Sequence, residues 1–165
     1  MLNLVKENAL FNEMNAYAEW SSKRTSALKA KQEEIRKEKG LDAYDSEEYI
    51  KIRNELESMK ESPYTSGAWS AFRCVMWSET ENDLWMKEAP WTEDIKDFIE
   101  TLREFGVTTF IYTDESTALM RNIHSFIANG CEMVGIEVLK TPALFHFSEN
   151  DPEFDEHQGL RFNIK

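Results

Sequence analysis

The sequence has few of the residues that mark secreted, disulfide-stapled or membrane-inserted proteins. Among 165 residues there are only two cysteines, six glycines and four prolines, which excludes a disulfide-rich miniprotein and a collagen-like repeat. Cys74 and Cys131 have no CxxC spacing, so two free thiols are expected, although a disulfide between them stays open. No apolar run approaches the ~20 residues that span a bilayer, and no signal-peptide pattern is present. We therefore expect a soluble, cytoplasmic protein.

Basic residues are also scarce, and their distribution is uneven. The chain carries 19 Lys and Arg against 31 Asp and Glu, a net charge of −12, whereas a free-standing nucleic-acid binder should be basic. Residues 1–60 carry a net charge of −1 and residues 61–165 a net charge of −11. Residues 21–39 are the exception at +4. This pattern is typical of a solvated helix face, and a contact with nucleic acid or with an acidic second copy stays open.

The first third of the chain predicts a helical hairpin. Apolar residues recur at helical spacing up to Gly40, a residue type that commonly ends helices. A second helical pattern follows Ser46, which is suited to cap its first turn. We assign residues 1–62 to this hairpin domain. Because its apolar stripes are thin, we expect a homodimer through residues 5–60.

Residues 63–165 predict a small α/β domain with a three-stranded mixed sheet. A third helix should begin near Ser66, and it either breaks near residue 79 or continues through Leu84 and Trp85. Two further helical patterns alternate with β-branched and aromatic runs, and Gly135 is a candidate bulge. The first two predicted strands should form a parallel strand–helix–strand unit, and the last strand should pair antiparallel at an edge. These elements predict an α+β protein with a helical N-terminal half. The ranges of the three predicted strands are 107–112, 131–139 and 160–164.

No motif in the sequence dictates a chemistry. There is no phosphate-binding loop, dinucleotide fingerprint, nucleophile elbow or zinc-ligand spacing. The predicted acidic loop, residues 142–158, begins a calcium-like pattern of carboxylates. That pattern then has Glu156 where glycine is needed and Phe162 where glutamate is needed. We therefore expect neither a metal nor a cofactor, although a cation bound by residues 142–158 stays open, and we expect a protein that is not an enzyme.

One segment has the right position for a ligand site. Residues 113–117 follow a predicted strand and precede a helix, which is where open α/β sheets bind ligands. Helix capping explains these residue types equally well. The alternative function is therefore a small α/β ligand-binding domain or enzyme with a site near Asp114 and Ser116.

Four of the five tryptophans lie within 23 residues, next to nine carboxylates in residues 79–104. Trp69, Trp77 and Trp85 are eight residues apart, a spacing that rotates successive indoles by about 80° around a helix. They therefore cannot all face one core, and we expect at least one to lie in a binding surface. The four are Trp69, Trp77, Trp85 and Trp91.

Two segments of the chain resemble proteins of a known kind. These segments are Phe105-Gly106-Val107-Thr108-Thr109-Phe110-Ile111-Tyr112-Thr113-Asp114-Glu115-Ser116-Thr117 and Gly159-Leu160-Arg161-Phe162-Asn163-Ile164. In them the chain resembles small acidic uncharacterised proteins of phages and mobile elements of Firmicutes. Such proteins are often anti-defence factors, including anti-CRISPR and anti-restriction proteins. The resemblance covers about the last 75 residues and implies an anti-defence role.

Charge and resemblance together favour an inhibitor that binds a basic nucleic-acid-handling enzyme, with a CRISPR effector nuclease as the specific expectation. An acidic surface with embedded aromatic residues is complementary to a basic channel, as in a nucleic-acid mimic. Direct binding to nucleic acid or to a membrane is not expected. The residues predicted to contact the partner are Glu79, Glu81, Asp83, Trp85, Asp94, Asp97, Glu104, Glu149, Asp151, Glu153, Asp155 and Glu156.

Overall fold

The protein is described by a computed structural model that covers Val5 and residues 7–78, 83–113, 116–142 and 154–165. Its mixed α+β class, with a helical N-terminal half followed by a small sheet, confirms the predicted class. The helices are α1 (Ala9–Lys39), α2 (Glu47–Ser58), α3 (Ser66–Met76), α4 (Ile95–Glu104) and α5 (Leu119–Ala128). The strands are β1 (Leu84–Met86), β2 (Thr109–Tyr112), β3 (Cys131–Pro142) and β4 (Phe154–Ile164), and short 3-10 helices span Gly40–Asp45 and Thr92–Asp94.

The chain divides into two compact units, Asn12–Tyr64 and a second made of Met1–Phe11 with Thr65–Lys165. In the first unit, α1 and α2 pack through a small apolar core that includes Leu28, Ile35 and Ile52. The predicted helix end at Gly40 and the predicted helix cap at Ser46 are confirmed in this unit. Gly40 has a φ of +60°, and the Ser46 hydroxyl accepts a hydrogen bond from the Tyr49 backbone N–H at 3.4 Å.

The described sheet has four strands in the order β1-β2-β4-β3, so the three-stranded prediction was wrong. The missed strand is β1, because Leu84 and Trp85 continue the apolar pattern of α3 although that helix ends at Met76. Strand β1 pairs parallel with β2, while β4 pairs antiparallel with both β2 and β3.

Strand β4 lies inside the sheet rather than at its edge, which corrects a further expectation. It separates β2 from β3, which still run parallel to each other because both pair antiparallel with β4. The reason is the apolar side chain of Phe162, whose ring lies 5.2 Å from Phe110 and 5.4 Å from Phe126 between centroids. In the central position this ring packs against β2 as well as α5 and is completely buried.

The ladder between β3 and β4 is longer than the sequence indicated. Cys131 pairs with Ile164 at one end and Pro142 with Phe154 at the other. Residues 154–158 therefore belong to a strand and not to the predicted acidic loop. The register shift between Met133 and Gly135 confirms the predicted bulge.

The two faces of the sheet differ in chemistry. On one face Phe110, Tyr112 and Phe162 pack against Phe126 of α5. Successive strand residues point to opposite faces, so Arg161 lies on the other. Its guanidinium donates to both carboxylate oxygens of Glu137 and, at 3.0 Å, to Oδ1 of Asp83. This ion-pair network joins β4, β3 and the residue preceding β1.

Candidate functional site

A cavity of about 940 Å³ opens where the parallel strands β1 and β2 end. Its wall consists of one side of α3, the residues that follow β1, and the start of α5. The carboxyl ends of parallel strands are the usual ligand position in α/β sheets, and a cavity of this volume suits a small organic molecule. The described residues that line it are Ser66, Ser70, Arg73, Cys74, Trp77, Trp85, Met86, Lys87, Glu88, Ala89, Pro90, Trp91, Thr92, Ser116, Ala118, Arg121 and Asn122.

Hydrogen bonds between the two strand ends fix the floor of this cavity. The Thr113 backbone N–H donates to the Met86 carbonyl at 3.0 Å, which completes the last pair of the parallel ladder, Met86 with Tyr112. The Trp85 indole N–H donates to Thr113 Oγ1 at 2.8 Å. Both interactions join β1 to Thr113, the residue after β2, so Trp85 is held in one orientation. Its indole is buried.

A cation lies against the held indole. The Lys87 ammonium is 4.4 Å from the centroid of the Trp85 ring, and the His157 ring centroid is 5.2 Å from it. Lys87 follows Trp85 by two positions and lies just beyond the end of β1. The cation–π contact positions one positive charge at the cavity wall.

Two other tryptophans of the wall are unusually exposed. Trp77, just after α3, keeps 72% of its surface accessible and Trp91, after β1, keeps 75%. Large exposed apolar side chains that meet in one concave region mark binding sites more often than isolated ones do. The rigid indole also binds at a low cost in side-chain entropy.

The wall is basic although its surroundings are acidic. Arg73, Lys87 and Arg121 line the cavity, with Glu88 as the acid among the described lining residues. These three are part of only eight basic residues in residues 61–165, a segment that also contains 19 acidic ones. Arg121 makes no ion pair or hydrogen bond to another described residue. The arrangement can therefore hold an anion against a flat apolar surface.

The cysteine in the wall is not activated as a nucleophile. Burial raises the pKa of the Cys74 thiol to about 11, and the nearby Arg73 guanidinium lowers it only in part. Because the thiolate is the reactive form, Cys74 stays protonated at neutral pH. Cys131 is a second free thiol. Burial likewise raises the pKa of this thiol to about 11.

Two of the residues predicted to contact a partner have contacts within the chain. Asp83 is bonded to Arg161, and Trp85 is the buried indole described above. Among the four tryptophans of residues 69–91, Trp77 and Trp91 are exposed and Trp85 is buried, so the four indoles do not all face one core.

The other predicted acids are dispersed among the described elements. Asp94 immediately precedes α4, Asp97 lies in the first turn of this helix, and Glu104 is its last residue. Asp155 and Glu156 lie on β4, where Glu156 forms an ion pair with Lys140 at 2.9 Å. Glu79, Glu81, Glu149, Asp151 and Glu153 lie outside the described residues, as does Asp114 of the alternative site. Ser116 of that alternative site lines the cavity.

Sequence reasoning missed the cations of the site. Arg73 and Trp77 are four residues apart, a spacing that places two side chains on the same side of a helix, and this pair was a usable signal. Lys87 and Trp91 could not be placed because β1 was not recognised, and the residues after it therefore had no position at a strand end.

Residues 67–164 match a family described as "Domain of unknown function (DUF7698)". This match covers more than half of the chain. The chain belongs to the DUF7698 family. The DUF7698 match spans all four strands and the helices α4 and α5, and it begins inside α3 at Gly67. It therefore contains every residue that lines the cavity except Ser66.

No curated protein and no solved structure has a significant match to this chain. Within the described ranges, the helices include none that is long and apolar enough to cross a membrane.

Proposed function

We propose that this protein binds a small organic anion that carries a planar ring, such as a nucleotide, in the cavity at the ends of β1 and β2. The observation that supports this proposal is the meeting of three indoles and three cations in the most acidic part of the chain. In this proposal the protein is a binding domain rather than an enzyme, since Cys74 is protonated and the described lining residues include no histidine.

The two kinds of side chain have different roles in binding. The exposed indoles of Trp77 and Trp91 offer flat faces on which a base or another aromatic ring can stack, an interaction worth about 1–3 kcal/mol per ring. Arg73 and Arg121 offer planar guanidinium groups, which bind phosphate or carboxylate oxygens in pairs. Acidic surroundings oppose the approach of large polyanions, so the site favours a small ligand over a nucleic acid.

The test is a titration of the purified protein with nucleoside mono- and triphosphates, followed by tryptophan fluorescence and calorimetry. We expect saturable quenching, and a loss of affinity of about tenfold or more in Arg121→Ala and in Trp91→Ala, the size of one charge-assisted contact or one stacked ring. Lys96→Ala is the matched control, because Lys96 is an exposed cation paired with Glu100 and lies outside the cavity. An absence of binding by every nucleotide tested would refute the proposal.

A second proposal keeps the inhibitor function: the protein blocks a basic nucleic-acid-handling enzyme, such as a CRISPR effector nuclease. It is supported by the way the cations of residues 61–165 are distributed. Arg161, Lys140 and Lys165 are paired with carboxylates, and three more cations line the cavity. Asp94, Asp97 and Glu104 have no cation partner among the described residues, so α4 presents net negative charge.

The inhibitor proposal is tested by capture of purified nuclease at increasing salt. We expect binding that weakens steeply with salt and that is reduced in the double variant Asp94→Lys, Glu104→Lys. Asp97 is left unchanged because its Cβ lies at the contact with Gly67. Arg121→Ala should leave this binding intact, which separates the two proposals. A wild-type protein that captures no nuclease at low salt would refute the second one.

A further inference from the structure

Helix α3 forms one long wall of the cavity at the ends of β1 and β2. The lining residues of this wall begin at Ser66 and continue to Trp77, which directly follows the helix. An α-helix rises 1.5 Å per residue, so the wall is about 17 Å long. The volume of about 940 Å³ is also near the upper end of the range for small-molecule sites, about 300–1,000 Å³. Both dimensions leave room for a ligand with more than one ring.

The two exposed indoles lie at opposite ends of this wall. A Cβ added to Gly67 would lie 2.5 Å from the Asp94 carbonyl oxygen, so the first turn of α3 lies against Asp94. The Asp94 backbone N–H donates to the Trp91 carbonyl at 2.9 Å, which places the Trp91 backbone at that same end. Trp77 follows Gly67 by ten residues, about 15 Å farther along the helix. Each indole keeps more than 70% of its surface accessible, so neither covers the other, and the two offer separate stacking positions.

A cation of α3 lies between the two indoles. The Arg73 guanidinium donates through Nη2 to Ser70 Oγ at 3.4 Å. Ser70 precedes Trp77 by seven residues, so this guanidinium lies nearer the end of the wall that holds Trp91. The described lining residues include three cations and one acid, Glu88, a net charge of +2. The middle of the wall therefore suits an anionic bridge that carries two negative charges.

We infer that the ligand of this cavity is a dinucleotide in which a pyrophosphate joins two nucleosides. One base stacks on Trp91, the other stacks on Trp77, and the phosphates lie at Arg73 between them. This inference rests on the proposed function, because it assigns the ligand class of the same cavity. A mononucleotide has one base and would leave one of the two indoles unused. Because the sequence has no glycine-rich dinucleotide fingerprint, the phosphates are held by side chains rather than by the backbone of a loop.

The first test compares two ligands that differ by one nucleoside. Diadenosine pyrophosphate and ADP share the same diphosphate, and calorimetry on the full chain measures the affinity for each. We expect the dinucleotide to bind about tenfold more tightly, the gain from one additional stacked ring. ADP has the larger negative charge, so charge alone would favour the opposite order. Equal affinities, or tighter binding of ADP, would overturn the dinucleotide assignment and leave the proposed function intact.

The second test uses Trp77→Ala, which removes the stacking position farther from Arg73. We expect this variant to bind the dinucleotide about tenfold more weakly and to bind ADP within about twofold of the wild type, because the single base of ADP stacks on Trp91. Trp20→Ala is the matched control, since Trp20 is an exposed indole on α1 outside the cavity, and both affinities should stay unchanged.

Two results of these titrations would overturn the inference in different ways. Equal losses of both ligands in Trp77→Ala would show that the two indoles hold one ring, so the dinucleotide assignment would fail while a nucleotide site remained. A wild-type protein that binds neither these ligands nor any mononucleotide would refute the proposed function, and the assignment with it.

Discussion

A buried polar pair stabilises the junction between β2 and α5. The Asn122 amide donates a hydrogen bond to the Tyr112 hydroxyl at 2.7 Å, and both side chains are almost completely buried. Neither group can exchange this partner for bulk water without opening the core. The hydrogen bond is therefore costly to remove from one side.

Tyr112→Phe removes the acceptor and leaves the Asn122 amide with an unsatisfied donor. We expect the free energy of unfolding to fall by about 1–3 kcal/mol, measured by urea denaturation. Tyr44→Phe is the control, because Tyr44 is exposed. This variant should change the free energy of unfolding by no more than about 0.5 kcal/mol. Equal effects of the two variants would show that the buried hydrogen bond contributes nothing.

Arg161 couples the stability of the sheet to pH. Hydrogen bonds from its guanidinium hold the pKa of Glu137 below the ordinary value of 4.5. A carboxyl whose pKa is lowered by folding stabilises the native state above its unfolded pKa, and this contribution is lost as the pH falls through the folded value. The stabilisation is therefore present at neutral pH and disappears in acid.

We expect Arg161→Gln to flatten the acid limb of the stability curve. In the wild type the free energy of unfolding should decrease as the pH falls below 4.5, and this decrease should be smaller in the variant. Urea denaturation across the acid range measures the difference between the two proteins. Parallel curves for the two proteins would mean that Arg161 does not hold the Glu137 pKa down. Lys140→Gln, which removes an exposed ion pair, serves as control.

At the scale of elements, Gly67 allows α3 to approach the start of α4 closely. A Cβ at this position would lie 2.5 Å from the Asp94 carbonyl oxygen and 2.8 Å from the Phe98 backbone nitrogen. Both are backbone atoms, so they cannot move aside as a flexible side chain would. A larger residue must push the two helices apart.

Gly67→Ala should therefore destabilise the protein by about 1–3 kcal/mol, the usual cost of overpacking, although alanine favours a helix. Gly135→Ala is the control, since a Cβ there has nothing within 4 Å. Thermal unfolding of the two variants measures the contrast. A Gly67→Ala variant as stable as the wild type would show that the two helices can separate without cost.

The elements with strong local signals were predictable from the sequence, and those set by distant contacts were not. The Ser46 cap, the helix end at Gly40 and the Gly135 bulge follow from local chemistry and agree with the structure. Strand β1 has three residues, too few for a period of two to be distinguished from a helical one. Its pairing with β2 and the central place of β4 depend on residues far apart in the chain.

At the scale of the whole molecule, charge determines which large partners can bind. With a net charge of −12, the protein should repel the DNA backbone, and the gain from counterion release should be absent. We expect no measurable binding to duplex DNA in a gel shift near physiological salt. Submicromolar binding would contradict this expectation. If such binding were lost in variants of Lys29 and Lys31, the positive residues 21–39 would be its source.

The strand order β1-β2-β4-β3 has a consequence for how the protein is made. Strand β4 is the last of the four to leave the ribosome, yet it lies between β2 and β3. Until it emerges, β3 has no neighbour in the sheet, and the rings of Phe110 and Phe126 lack the side chain of Phe162 that packs against both. The sheet therefore forms after synthesis of this segment rather than during it. A nascent chain stalled before β4 would expose apolar surface that chaperones recognise.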